Sequence, residues 1–134
     1  MTPRVQIRPF KKPVEVSLDR FCIAYTRRAV VVSERGYPDR LYIPKDDVDM
    51  SRLERTSRAT HCPFKGEASY FSIRAGEREL VSAAWTYEEP IEQVQAIQGC
   101  ICFDTAPGIH IDYPAGNTPR TDANPGLFPT ADRA

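Results

Sequence analysis

The sequence predicts an all-β fold, mainly antiparallel, with short helical turns, and three observations predict it. Apolar residues fall in short runs rich in Val, Ile, Tyr and Phe, the residues that pack best on a pleated surface. Gly, Pro and Asp bound those runs, as they bound turns. Twelve prolines in 134 residues leave little room for long helices. This length suits one domain whose core needs no disulfide staples.

Residues 1–13 are basic and proline-broken, without the apolar segment of a secretory leader, and read as an N-terminal arm. Three strands are expected next, at Val14–Leu18, Phe21–Thr26 and Ala29–Glu34. A turn at Gly36-Tyr37-Pro38-Asp39 then leads into a short strand over Arg40–Pro44. Lys45 to Leu53 reads as a short helix, capped by Asp46 or Asp47, with a narrow apolar stripe from Val48. His61-Cys62-Pro63-Phe64-Lys65-Gly66 breaks any periodicity and forms a loop. The residue before a proline is held extended, and Pro63 and Gly66 favour a tight turn.

The strongest hairpin signal joins Glu67–Arg74 to Glu79–Tyr87 through Ala75-Gly76-Glu77. Alternation puts Val81, Ala83, Trp85 and Tyr87 on one face of its second strand, the expected core or cleft face. Ile91, Val94 and Ile97 recur every three residues before Gly99, which predicts a turn or two of helix with a glycine stop. A last hairpin is expected from Cys100–Phe103 and Ile109–Tyr113. Residues 114–134 then form a proline-rich tail whose one large apolar pair, Leu127-Phe128, is its expected anchor.

Eighteen basic and eighteen acidic residues cancel. That balance removes the electrostatic footprint expected of a chain whose main partner is nucleic acid or an anionic membrane. No apolar run is long enough for a membrane helix. Cytoplasmic residence is the expectation. Four irregularly spaced cysteines, Cys22, Cys62, Cys100 and Cys102, fit reduced thiols better than a disulfide framework. The zinc-knuckle spacing is missing, so neither a metal nor any other cofactor is expected, and Cys100 and Cys102 read as small packing residues on one strand face. Phosphate-loop and dinucleotide glycine motifs are absent as well.

The candidate chemistry gathers at Cys62 to Gly66. Lys65, the sole lysine after position 45, stands on a rigid turn where it can bind an anion, or act as base or nucleophile if burial lowers its pKa. Set against this, a lysine on a turn is most simply a solvated amine. Trp85 and Tyr87 share a strand face and Tyr42 lies on another strand; they suit either a pocket wall or plain core. Asp47 suits a helix cap or the orientation of a lysine. Cys62 needs a cation nearby to be a reactive thiolate; Lys65 can supply one, whereas the adjacent His61 points the other way.

Several stretches in order carry a resemblance: Ala29 to Glu34, Tyr42-Ile43-Pro44, Asp47-Val48, Thr60 to Tyr70, Ala84-Trp85-Thr86-Tyr87, Pro90 and Ile97 to Phe103. Over roughly residues 14–113 the chain resembles domain-of-unknown-function family 427. The Cys-Pro-aromatic-Lys-Gly turn followed by Ala-Trp-x-Tyr is its most specific part. The resemblance implies a small β domain similar to the β-tent, or Mss4-like, group, which includes B-type methionine sulfoxide reductases and zinc-bearing chaperone-like proteins. It implies a zinc-free version, because the two C-x-x-C knuckles of many such relatives are missing. The family is sometimes labelled nucleotidyltransferase-like, yet neither a nucleotide-binding motif nor a pair of metal-binding aspartates accompanies that label here. The family pattern falls on Glu34, Tyr42, Pro44, Asp47, Cys62, Pro63, Lys65, Gly66, Trp85, Tyr87 and Pro90; Phe71 replaces a Trp frequent in relatives.

Three functions follow as expectations. The first is a cleft for a small anionic molecule, with Lys65 as anchor, Tyr42, Trp85 and Tyr87 as walls, Glu34 and Asp47 as orienting carboxylates, and backbone donors from Cys62 to Gly66. The second is thiol-dependent catalysis at Cys62, with Lys65 and Asp47 as further catalytic candidates. The third is a non-enzymatic protein-interaction module whose strand edges or tail pair with a second copy, as a homo-oligomer, or with another protein.

Overall fold

A computed structural model describes residues 4–112. Ten strands form two antiparallel sheets. They are β1 (Val5–Phe10), β2 (Val14–Leu18), β3 (Phe21–Thr26), β4 (Ala29–Glu34), β5 (Arg40–Pro44), β6 (Leu53–Cys62), β7 (Gly66–Ala75), β8 (Arg78–Thr86), β9 (Cys100–Phe103) and β10 (Ile109–Asp112). The larger sheet runs β1-β4-β5-β9-β8-β7-β6, and the smaller runs β10-β2-β3. The fold is the expected small all-β domain, and β2 to β5 fall at the boundaries read from the sequence.

Alternation along the central strands divides the core into two clusters on opposite faces of the large sheet. On one face Ile43, Ile73, Ala84, Ile101 and Phe103 meet Val14, Val16, Leu18 and Ile23 of the small sheet. On the other, Tyr42, Tyr70, Trp85, Tyr87, Cys100 and Cys102 pack together under Val94 and Ile97. Val5 and Ile7 of β1 and Cys62 of β6 also pack on this second cluster, although β1 and β6 are opposite edges of the sheet. In a flat sheet six strand spacings would hold those edges about 29 Å apart. The sheet therefore curls around its aromatic face until the rims approach.

Five expectations need correction. Val5–Phe10, inside the stretch read as an arm, is an edge strand paired with β4. Lys45 to Leu53 is not one helix but two 3₁₀ turns, Lys45–Asp47 and Met50–Arg52. Neither Asp46 nor Asp47 caps them: Pro44, whose ring carries no hydrogen-bonding group, holds the first cap position, and at the second the Asp49 side chain accepts from the Ser51 amide.

Leu53–Cys62, with polar residues at most positions, carries too weak an apolar alternation to read as a strand, yet it is the ten-residue edge β6. Cys100–Phe103 and Ile109–Asp112 are not a hairpin. All four residues of β9 are buried between β5 and β8, while β10 alternates and pairs with β2. Val81 leaves the Trp85 face and is 73% exposed. A positive φ of 52° at Ser82 and a register shift between Phe71 and Ile73 break the alternation there. The Leu127-Phe128 anchor lies outside the described residues.

Candidate functional site

The turn between β6 and β7 places the candidate lysine. Cys62 is extended, Pro63 fixes the next φ, and the Lys65 amide donates to the Cys62 carbonyl at 3.1 Å, closing a four-residue turn. Gly66 follows with φ 118°, and a Cβ there would stand 3.3 Å from the Glu89 carbonyl oxygen. Glycine thus lets the segment after β8 press against the turn, where the Ile91 amide donates to the Lys65 carbonyl at 3.0 Å.

Curling of the sheet turns Lys65 inward rather than to solvent. It is 4% exposed, and its Nζ donates to Glu34 Oε1 at 2.7 Å. Glu34 closes β4, which a flat sheet would hold about 19 Å from β7 across four spacings. Arg4, just before β1, adds a second tie across the rims. Its Nε lies 3.8 Å from Glu34 Oε2 and its guanidinium sits over the Phe64 ring at 4.3 Å. At 3.8 Å the contact is an ion pair and not a hydrogen bond, and Glu34 Oε2 is buried without a hydrogen-bond partner among the described residues.

Lys65, Glu34, Arg40 and Tyr42 line one small cavity, with Val32, Tyr37 and Pro38 on its apolar side. Its volume of about 10 Å³ accommodates one water-sized group. Tyr42 lies over the aromatic cluster: its hydroxyl accepts from Trp85 Nε1 at 3.2 Å, and its ring stands 6.4 Å from that of Tyr87. The Arg40 guanidinium covers the Trp85 ring at 5.0 Å. Burial raises the Tyr42 hydroxyl well above the ordinary tyrosine range, and it raises Tyr87 too. Tyr87 Oη is buried with no hydrogen-bond partner among the described residues.

Of the residues expected at the site, Lys65, Glu34 and Tyr42 come together and Gly66 holds their turn. Trp85 and Tyr87 are fully buried behind Tyr42 and do not line the cavity. Asp47 stands apart from them. Its carboxylate accepts from the Thr26 hydroxyl at 2.6 Å and from Arg28 at 3.1 Å, so it ties β3 to the first 3₁₀ turn and does not orient Lys65. Cys62 is half-buried at the rim of the aromatic cluster, and the lysine invoked to activate it is engaged by Glu34. Burial pushes the Cys102 thiol up to about 12 and raises Cys100, which keeps both protonated near neutrality. His61 pairs with Glu67 at the surface. Among the described residues no group of three His, Cys, Asp or Glu is placed to hold a metal, and no helix is long and apolar enough to cross a membrane.

Arg40 is the site residue that sequence reasoning missed. It lies two positions before Tyr42 on one strand, so alternation alone puts both on one face. Val32 stands in the same relation to Glu34.

A family model described as a domain of unknown function, DUF427, matches residues 6–113. The chain belongs to this family. The match takes in every strand from β2 to β10, most of β1 and all residues of the cavity. No curated protein matches the chain.

Proposed function

We propose that this DUF427 domain binds a small anionic molecule at the cavity beside Lys65. What supports the reading above all is the Lys65–Glu34 pair: two charges almost withdrawn from water yet facing a hollow. Taking such charges out of water is unfavourable, and buried pairs of this kind contribute little net stability. Arg40 adds a second cation to the lining. Tyr42 supplies a hydroxyl held in place by Trp85. The proposal keeps the β-tent grouping and a cytoplasmic, zinc-free protein as its setting.

Thermal shift against a panel of metabolites is the test, with the wild-type chain, Arg40→Gln and Lys65→Met. A ligand that raises the wild-type Tm, and raises it less in both variants, is the expected result. Equal shifts in all three proteins, or none from any compound, would refute the reading. Arg40→Gln keeps the test interpretable if Lys65→Met fails to fold.

A further inference from the structure

Resting on that reading, we propose that the connection between β4 and β5 is a gate over the cavity, and that Asp39 latches it shut from the other side of the sheet. The cavity admits no more than a water-sized group, so an organic anion enters only if part of the wall gives way. Most of the wall is tied into the sheet. Val32 pairs with Arg40, Tyr42 with Val30 and Glu34 with Val5, and backbone bonds fix Lys65 through both its amide and its carbonyl. Tyr37 and Pro38 are the exception. The β4–β5 ladder ends at Val32 and Arg40, and among the described residues Tyr37 and Pro38 join no other. The Tyr37 amide donates to the Glu34 carbonyl at 3.0 Å, which closes the connection on itself and not on a neighbouring strand. At Gly36, where φ is 90°, a Cβ would meet nothing within 4 Å among the described residues, so the tip has room to swing. A segment outside the ladders opens at less cost than the strands it joins. One cluster of side chains holds it down. Asp39 is 3% exposed; its carboxylate accepts from Ser33 Oγ at 2.8 Å and from Arg8 at 3.1 Å, and Arg8 also donates to Ser33 Oγ at 2.9 Å. Ser33 precedes Glu34 on β4, so alternation sets this cluster on the face away from the cavity. Asp39 thus pins the residue between Pro38 and Arg40 without itself lining the cavity.

Two measurements on the full chain test the gate without any ligand: amide hydrogen exchange resolved by NMR, and acetylation of Lys65 by an N-hydroxysuccinimide ester, read by peptide mass spectrometry. Ser33→Ala and Arg8→Gln loosen the latch, and Arg4→Ala loosens the opposite rim as a control. In both latch variants the Tyr37 amide should exchange about tenfold faster, the loss expected of one hydrogen bond to a carboxylate. Amides of the central strands β5 and β9 should keep their rates, and acetylation of Lys65 should quicken with the Tyr37 amide. An unchanged Tyr37 rate would overturn the gate. So would acetylation that responds to Arg4→Ala and not to the latch variants, because the entrance would then lie at the rim. The wild-type chain decides the matter even if the variants fail to fold: its Tyr37 amide should exchange ahead of β5 and β9, and exchange only together with them would overturn the gate. A metabolite that binds while exchange fails the test would keep the site and remove the gate. A blank panel beside a Tyr37 amide that exchanges early would remove the ligand and leave the loop's opening established.

Discussion

The two faces of the large sheet are built from the same strands and do different physical work. Facing the small sheet, the side chains are almost all aliphatic: Val, Ile, Leu and Ala, with Phe71 and Phe103. That is ordinary oil against oil, and each buried group adds stability in proportion to its apolar area. Facing inward, the curled side gathers three tyrosines, one tryptophan, two thiols and, at its rim, an ion pair. Groups of that kind are buried at a penalty that partners must offset, and among the described residues Tyr87 Oη and Glu34 Oε2 have no hydrogen-bond partner. The difference puts the costly polar burial on one face, the face that carries the proposed site.

Breaking the ion pair is the severest way to probe that contrast. Lys65→Met leaves the buried Glu34 carboxylate with only the 3.8 Å contact to Arg4 among the described residues and should lower stability by about 3 kcal/mol. The double variant Lys65→Met/Glu34→Leu should recover most of it, as urea denaturation would record. A single variant as damaging as the double would instead mean that apolar packing of the stems dominates. Alkaline pH comes next. Cys102 is held up at about 12 against an ordinary value of 9, and burial raises Tyr42 in the same direction, so the folded state binds more protons than the unfolded one above pH 9. Stability should therefore be level below pH 9 and fall as pH rises toward 12. Cys102→Ala should flatten that fall, whereas a substitution on the aliphatic face such as Ile101→Val should leave its shape unchanged.

On the aliphatic face the expected effect is smaller. Ile73→Val removes one methylene from a fully buried site and should cost about 1 kcal/mol. The smallest effect carries the opposite sign. Tyr87→Phe deletes a buried hydroxyl that has no hydrogen-bond partner among the described residues and should be neutral or stabilise the apo protein by up to about 1 kcal/mol. A clear loss of stability in that variant would show that the hydroxyl has found a partner, such as a buried water.

How far the sequence was legible follows the same division. Strands β2 to β5 announced themselves because each has an apolar run between turn residues, and the ring positions Tyr42, Trp85 and Tyr87 were visible as a set. Strand β6 stayed hidden. It lies at an edge with Arg55, Ser57 and Ala59 exposed, so little apolar periodicity survives in its composition. The false hairpin at β9 and β10 arose because local signals cannot say which sheet a strand joins; a four-residue strand buried on both sides inserts centrally and its neighbour in sequence goes elsewhere. At the site, Glu34 and Lys65 were both picked out, but their contact depends on the curl of seven strands, a global property that no window of sequence contains. Asp47 was placed with them as a carboxylate able to orient a lysine. Its actual partners, Thr26 and Arg28, come from β3 and the turn after it.

Arg4 and Phe64 join the far ends of the large sheet by a cation resting on a ring, and among the described residues no backbone ladder links β1 to β6. Side chains alone hold that line shut, with the buried Lys65–Glu34 pair beneath the stacked cation.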